Sequence, residues 1–542
     1  MNLERFGNVR VFRPRFITEV DVRNACEAEL RERVGAGAYT DSKKINGIIQ
    51  SRFSFMDEKL KAAVRECAGR EFMDLVLAQY DFCADIEKLE KDGTLPEARR
   101  RRWFELGPTL RRALKYLAES MVQEHTGKEP ELDEDRKLLL ADTAFCYAEQ
   151  MVNLYIISDQ TYSLFPDRTT LQIQEPSELE YFKLEAADAN ASDMENRIRI
   201  DRENRPRFLS ATECPLFSAA YQSSVLDASF KSEHGISYND CLSVIYTLSR
   251  DAEPPDKGFK IPFCNKISVV RGLSKALSHT ESEVELALSG FLLTKKNMSE
   301  DQRALFKPQQ EYRAYRRGMF EMQWQGEVYI TWSPRMAFET YVQLVTDMTF
   351  QKCPPEWRKG GITFALNRLS NEAGKWFEDA VANNLRSFGI RGRNSFKQGI
   401  GTGNKRVLIP QEVGEIDFLG YSDAERLLVI VECKLIRGGT EPRLFRDDIA
   451  AFVNGPNSYV QKFSRKVDWV RQNSQMITEA LKTERDFPTD MQLSRIAAVI
   501  VTFFPTFAAK YTDPFKCVSL VELCVAIESG RRWPYVSESL QL

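Results

Sequence analysis

The sequence predicts a multi-domain chain, with a mostly α-helical N-terminal region followed by a C-terminal α/β domain. Three observations carry this. The 542 residues exceed what one hydrophobic core organises and suggest about three or four domain-sized units. Residues 1–165 show apolar positions at helical spacing almost throughout. After the CPPEW break at Cys353 to Trp357, short Leu/Val/Ile runs bounded by turn chemistry appear, as in strands. The expected division is a helical domain over 1–165, a mixed, mostly helical connector or recognition domain over 166–360, and an α/β domain over 361–542.

Composition excludes several classes. With 43% hydrophobic and 28% charged residues, the chain reads as soluble and globular. No apolar run approaches the roughly 20 residues of a membrane span. The start, MNLERFGNVRVFRPRF, lacks the apolar core of a signal peptide. Eleven cysteines without a CxxC read as buried thiols of a reducing cytoplasm. His125, His234 and His279 lie far apart in sequence, which argues against a zinc site or a histidine triad. A net charge of −3 means that any nucleic-acid surface must be local.

In chain order, Met56 to Lys91 is one long periodic stretch, with Leu60, Val64, Phe72, Leu75 and Leu77 apolar. Helical patterns follow at 96–125 and 133–164. Arg99 to Arg102 with Arg111 and Arg112 form a basic cluster that suits a solvated helix face better than a phosphate contact. Residues 165–215 read as a loop-rich connector with a short strand near Leu171–Ile173. Tyr238 to Arg250 is a helix. Ile267 to Leu277 and Thr280 to Leu293 form a helix pair, the second opened by a Thr280/Glu283 capping box. A strand or hairpin follows at Glu327–Trp332. Helices and then a hairpin over 237–332 admit a winged-helix module near Lys295, Lys296, Arg313, Arg316 and Arg317. A packing domain is the preferred alternative.

The chemistry concentrates in GEIDFLGYSDAERLLVIVECKL, Gly414 to Leu435. It predicts two strands joined by the polar turn Ser422 to Arg426. Residues two apart on a strand share a face, so Glu432 and Lys434 point one way and Cys433 the other. A hairpin bringing Asp417 beside them gathers two carboxylates and an ammonium. Two such carboxylates about 4 Å apart repel by roughly 4 kcal/mol at an effective dielectric near 20. A cation between them or a proton on one would relieve this. All-oxygen ligands suit Mg²⁺ or Mn²⁺. An ordinary solvated Glu–Lys pair is the competing reading of the hairpin taken alone.

Upstream, SNEAGKWFE from Ser370 to Glu378 reads as a helix start with Ser370 as N-cap, an apolar stripe of Phe377, Val381, Leu385 and Phe388, and a stop at Gly389. Helix with glutamate, loop, strand with aspartate, then strand with ExK resembles the PD-(D/E)xK nucleases, the restriction-endonuclease-like superfamily, and especially its Mrr-type members. The likeness covers roughly 370–505. The proline that often precedes the aspartate is replaced here by Ile416. The resemblance implies a restriction-endonuclease-like domain with a central mixed sheet. It implies a metal-dependent endonuclease in which Asp417 and Glu432 ligate Mg²⁺ or Mn²⁺, with the Cys433 carbonyl a further candidate. Glu378 orients the metal shell or binds a second ion, and Lys434 positions the attacking water. It favours DNA over RNA, because most of the family cuts DNA, and suits a prokaryotic phage-defence or restriction effector. A nucleic-acid-binding or scaffold protein that no longer cuts is the alternative. The N-terminal helical region is open to a protein partner and the chain to homo-oligomers.

Between helix and hairpin, no acidic residue occurs from Val381 to Gln411, while Arg391, Arg393, Lys397, Lys405 and Arg406 do. The Gly399–Gly403 segment fails the P-loop spacing, with Arg406 where Ser or Thr would bind the ion. A mobile basic loop gripping phosphates and a solvated connector are the two readings. Tyr459 to Asn473 is amphipathic, burying Val460, Phe463, Val467 and Val470 and offering Lys462, Arg465, Lys466 and Trp469 on a second face. The resemblance implies that this helix packs beside the site, so the face either meets backbone phosphates or is simply solvated. Arg495 to Phe504 reads as a buried strand, and Lys516 to Ile527 as a last strand and helix.

Overall fold

The structure, a computed structural model, describes residues 2–159, 169–174, 182–186, 191–209, 214–250, 261–298, 311–438 and 442–535. The fold is mixed α/β. Its N-terminal region is mostly helical, and mixed sheets lie in the C-terminal half. Two compact units emerge: 1–187 with 219–366, and 188–218 with 367–542. The boundary falls inside the helix Gly360–Ser387.

The first unit opens with a hairpin, Asn2–Phe6 and Val9–Arg13, turning at Gly7 with φ +61°. Five helices follow: Phe16–Arg33, Ser42–Cys67, Arg70–Lys91, Glu97–Glu124 and Glu134–Asp159. Phe53, Leu60, Leu77, Leu117, Phe145 and Met151 pack in their shared core. The single periodic stretch expected from Met56 to Lys91 is two helices. Gly69 is extended between them, and the Glu129 carboxylate accepts the Arg70 and Glu71 amides at 2.9 and 3.3 Å, capping the second helix. A Cβ at Gly69 would lie 2.6 Å from that carboxylate, so only glycine lets the cap approach.

Further along, helix Tyr238–Ser249, strand Phe263–Asn265, helices Lys266–Leu277 and Glu281–Ser289, and the hairpin Met319–Trp324/Glu327–Trp332 succeed one another. The Phe263 strand pairs with the last strand, and the short strand Leu292–Leu293 closes the other edge. The Thr280/Glu283 capping box is present. The arginines around it point inward. Arg313 pairs with Glu119 at 2.6 Å, Arg316 with Asp347 at 2.8 Å and Arg317 with Glu356 at 2.7 Å, all three guanidiniums being buried. The hairpin turn is pinned by Gln325 N–H to the Gly127 carbonyl at 2.9 Å. The helix Glu281–Ser289 carries Glu281, Glu283 and Glu285. Lys295 and Lys296 alone of the five cations near this segment are exposed. These features suit packing rather than nucleic-acid reading. The Arg99–Arg102 cluster is likewise paired, with Glu4 and Glu97.

The second unit begins with helix α1, Ala191–Phe208. Sequence reading leaves this stretch as connector, because it lacks an apolar stripe. Arginines anchor it instead: Arg197 to Glu522 at 2.6 Å, Arg205 to the Phe503 carbonyl at 2.8 Å and Arg207 to Glu528 at 2.7 Å. Helix α2 is Gly360–Ser387, so Ser370 lies mid-helix and caps nothing. Gly389, at φ +81°, follows its end. Strands β1 (Ile390–Phe396), β2 (Ile416–Ser422), β3 (Leu427–Lys434), β4 (Arg495–Thr502) and β5 (Lys516–Ser519) form one sheet in that order. β2 is antiparallel to both of its neighbours, β1 and β3, and β4 and β5 join in parallel. Every residue of β2 is buried, and so is every residue of β3 before Lys434, so helices must cover both faces. Helices α3 (Pro442–Val453), α4 (Tyr459–Gln472) and α5 (Ser474–Leu481) lie between β3 and β4. Phe463, Val467 and Val470 of α4 pack with Leu428 and Ile430 of β3 and Leu419 and Tyr421 of β2. That shared face leads directly to the chemistry.

Candidate active site

Leu428 and Ile430 place the even-numbered residues of β3 under α4, and Glu432 and Lys434 continue that row. On β2, Leu419 and Tyr421 do the same for Asp417. Asp417 and Glu432 adjoin the paired residues Phe418 and Val431. Asp417 Oδ2 accepts the Cys433 amide at 2.8 Å. Lys434 Nζ lies 2.6 Å from Glu432 Oε1 and 3.9 Å from Asp417 Oδ2, and 5.0 Å from the centre of the Tyr459 ring. Asp417, Glu432 and Lys434 therefore meet on one face. Glu378 of α2 lies within electrostatic reach of Asp417 and Lys434. Its Oε2 accepts Ser395 Oγ at 3.4 Å. Ser395 stands opposite Asp417 between two β1–β2 pairs and takes a left-handed φ of +61°. Gly374, one turn earlier on α2, faces open space.

The residue that sequence reading misplaced is Lys466. It was expected on the outer face of α4, beside Lys462 and Arg465. Those two are exposed, but Lys466 is buried, and its Nζ bridges Glu432 Oε2 at 2.5 Å and Asp417 Oδ1 at 3.6 Å. The signal was present: Lys466 follows Phe463 by three residues and adjoins Val467, at the edge of the apolar stripe. Two ammoniums thus offset two carboxylates, and the bare repulsion inferred from the hairpin is relieved within the chain.

The electrostatics follow from burial and neighbours. Burial, then the Asp417 and Glu415 charges, push the Glu378 carboxyl up to about 7. Burial and Glu432 push Asp417 up, opposed by Lys434, Lys466 and the Cys433 amide. Burial disfavours the Lys434 ammonium, yet Glu432 and Asp417 outweigh it and hold the group above the ordinary lysine range.

The region behind the site is braced by α1. Phe503 N–H donates to the Lys434 carbonyl at 3.2 Å. The Trp376 and Phe377 rings of α2 meet Phe503 edge-on. Arg205 stacks over Phe503 and Phe504 at 4.7 and 4.3 Å and donates to the Phe503 carbonyl at 2.8 Å.

The basic segment is more ordered than a mobile loop. Arg391 and Arg393 lie on β1, and a small hairpin, Gly399–Ile400 with Val407–Leu408, carries Lys405 and Arg406 between its strands. Gly401 N–H donates to Glu484 and Thr402 N–H to Thr483, docking the hairpin just beyond α5. A Cβ at Gly401, where φ is +84°, would lie 2.7 Å from Ala480. Four of the five cations meet acids: Arg391–Asp423 at 3.7 Å, Arg393–Glu484 at 2.9 Å, Lys397–Glu415 at 3.8 Å and Lys405–Glu479 at 3.0 Å. Arg406 lies along Gly399.

In comparison with known proteins, no family model, no curated protein and no solved structure matches the chain. Among the described residues, no helix is long and apolar enough to cross a membrane.

Proposed function

We propose that the second unit is a restriction-endonuclease-like, divalent-metal-dependent nuclease that hydrolyses phosphodiester bonds, with DNA the expected substrate and prokaryotic phage defence or restriction the setting. The convergence of Asp417, Glu432 and Lys434 on one sheet face carries the reading. The order of α2, with Glu378, then β2 with its aspartate and β3 with ExK supports it.

The donor set fits a hard cation: carboxylate oxygens of Asp417 and Glu432, the Cys433 carbonyl, and Glu378 at the edge. Mg²⁺ or Mn²⁺ held there would polarise a phosphoryl oxygen and acidify a bound water. The chain supplies the rest. Asp417 is fixed by the Cys433 amide on Oδ2, so its other oxygen, which faces Lys466, is aimed before substrate arrives. Lys434, kept charged and only part-buried, can orient a water and offset charge at the phosphorus. Glu378, held by Ser395, orients the metal shell or a second ion.

One observation favours the alternative, a nuclease-like scaffold that binds without cutting: Lys466 already neutralises the carboxylates. Cleavage of DNA and RNA by purified protein with Mg²⁺, Mn²⁺ or EDTA separates the two. Metal-dependent cleavage lost in Asp417→Ala and Lys434→Ala is expected. Cleavage by Lys434→Ala at the wild-type rate would overturn the assignment.

A further inference from the structure

Lys434 and Lys466 contact different sides of the carboxylate pair. Lys434 comes from the same strand as Glu432, stays part-exposed, and approaches Asp417 on Oδ2, the oxygen that also accepts the Cys433 amide. Lys466 comes from α4 and is buried. It reaches the other two oxygens, Asp417 Oδ1 and Glu432 Oε2. One oxygen from each of two carboxylates is also what a hard cation bridging them would take. A buried carboxylate pair needs positive charge close by, because each unpaired charge in such a place is costly.

We propose that Lys466 is a resident counter-cation, which holds the Asp417–Glu432 pair in the metal-free protein and must leave those oxygens when a divalent ion binds. Resting on the nuclease reading, the proposal adds an internal competitor to its metal site. The stem of Lys466 runs from a helix packed on the sheet, while Lys462 and Arg465 of the same helix face solvent. In the proposed exchange the ammonium leaves the two oxygens by rotation of the Lys466 side chain while α4 stays in place. The charge set makes the cost of coexistence plain: a lysine about 4 Å from a divalent ion opposes it by more than about ten times the thermal energy, even at an effective dielectric of 20.

The charge can be removed at the cost of one side-chain atom, since methionine ends where the lysine ammonium begins. Mn²⁺ titrations by calorimetry, without nucleic acid, would compare wild type, Lys466→Met, Lys466→Arg and Asp417→Asn, with melting temperatures recorded in EDTA and in Mn²⁺. Lys466→Met should bind Mn²⁺ at least about tenfold more tightly than wild type. It should also melt lower in EDTA and gain more from Mn²⁺. Lys466→Arg, which keeps the charge, should not tighten binding. If Lys466→Met does not fold, Lys466→Gln takes its place. Equal or weaker Mn²⁺ affinity in the uncharged variants, with binding still abolished by Asp417→Asn, would overturn the competitor and leave the nuclease reading intact. Absence of Mn²⁺ binding in both wild type and the uncharged variants would overturn both.

Discussion

The pairing of the basic segment makes a prediction that runs opposite to ordinary charge removal. Lys397 is paired with Glu415 and Lys405 with Glu479, and all four side chains are more than a third exposed. Hydrogen bonds from Lys482 and Lys405 hold Glu479 down to about 2, so it stays charged under any nucleic-acid binding condition. Exposed pairs of this kind contribute little to stability. Replacing both acids, Glu415→Gln with Glu479→Gln, should leave the fold intact and release Lys397 and Lys405 on the surface proposed to meet the backbone, together with Lys482, the second partner of Glu479. Each new phosphate contact adds about −0.9 to the slope of log affinity against log salt. Two contacts steepen it by about 1.8, which amounts to roughly a further tenfold loss of affinity between 50 and 200 mM salt and correspondingly tighter binding at the low end. Fluorescence anisotropy of a labelled duplex in EDTA, across that salt range, measures both without cleavage. An unchanged slope and affinity would show that this surface does not touch nucleic acid, and the segment would revert to a solvated connector.

Other expectations are simpler. Asp417→Ala and Lys434→Ala should each nearly abolish metal-dependent cleavage, because the groups act as one unit, while affinity for DNA in EDTA survives Lys434→Ala better than neutralisation of Arg391, Arg393, Lys397, Lys405 and Arg406. In the first unit, Arg313→Met strands the buried Glu119 carboxylate, which also accepts the Ala314 amide, and should cost about 3–5 kcal/mol in denaturant unfolding. Adding Glu119→Gln should cost far less than a second independent loss; strictly additive effects would refute the pairing. Burial pushes Asp81 up to about 6, against hydrogen bonds from Ser333 and the Arg335 amide. The folded state then holds a proton that the unfolded state has released, so this contribution is full below about pH 3.8 and is lost as pH rises through about 6. The loss is on the order of 3 kcal/mol. Asp81→Asn should flatten that part of the first unit's stability-versus-pH curve, and an unchanged curve would show that Asp81 is not its source.

What could be read from the sequence depended on which force fixes each element. β2, β3 and β4, and the stripe Val460–Phe463–Val467–Val470, are set by apolar patterning, and their bounds follow the Leu/Val/Ile runs closely. The two-residue parity that placed Glu432 and Lys434 together is a backbone property and needs no tertiary knowledge. Helix α1 was illegible because ion pairs to Glu522 and Glu528, distant in sequence, replace an apolar face. The start of α2 was misread because Ser370 carries capping chemistry that the helix overrides, Leu366 and Leu369 extending the buried face upstream. Charge-rich segments misled in one direction. Arg313, Arg316 and Arg317 look like a binding surface in sequence, and only the partners Glu119, Asp347 and Glu356 turn them inward.

The same lesson decides how the site holds together. A hairpin that brings two carboxylates together demands a compensating charge, and the sequence offers the Lys434 ammonium, a cation between them or a proton as its source. The chain supplies it twice, by Lys434 two residues after Glu432 and by Lys466 on the helix over the sheet. Where a site's charge is balanced only by metal, folding waits for the ion. Here the apolar residues of β2, β3 and α4 pack around the pair and the two lysines offset it, so under the proposal above a divalent ion would exchange with a lysine inside a finished sheet. The stability of the second unit and its metal affinity are then separable quantities, set by different residues. Leu428, Ile430, Phe463 and Val467 belong to the first, and the proposed contest between Lys466 and the ion would set the second.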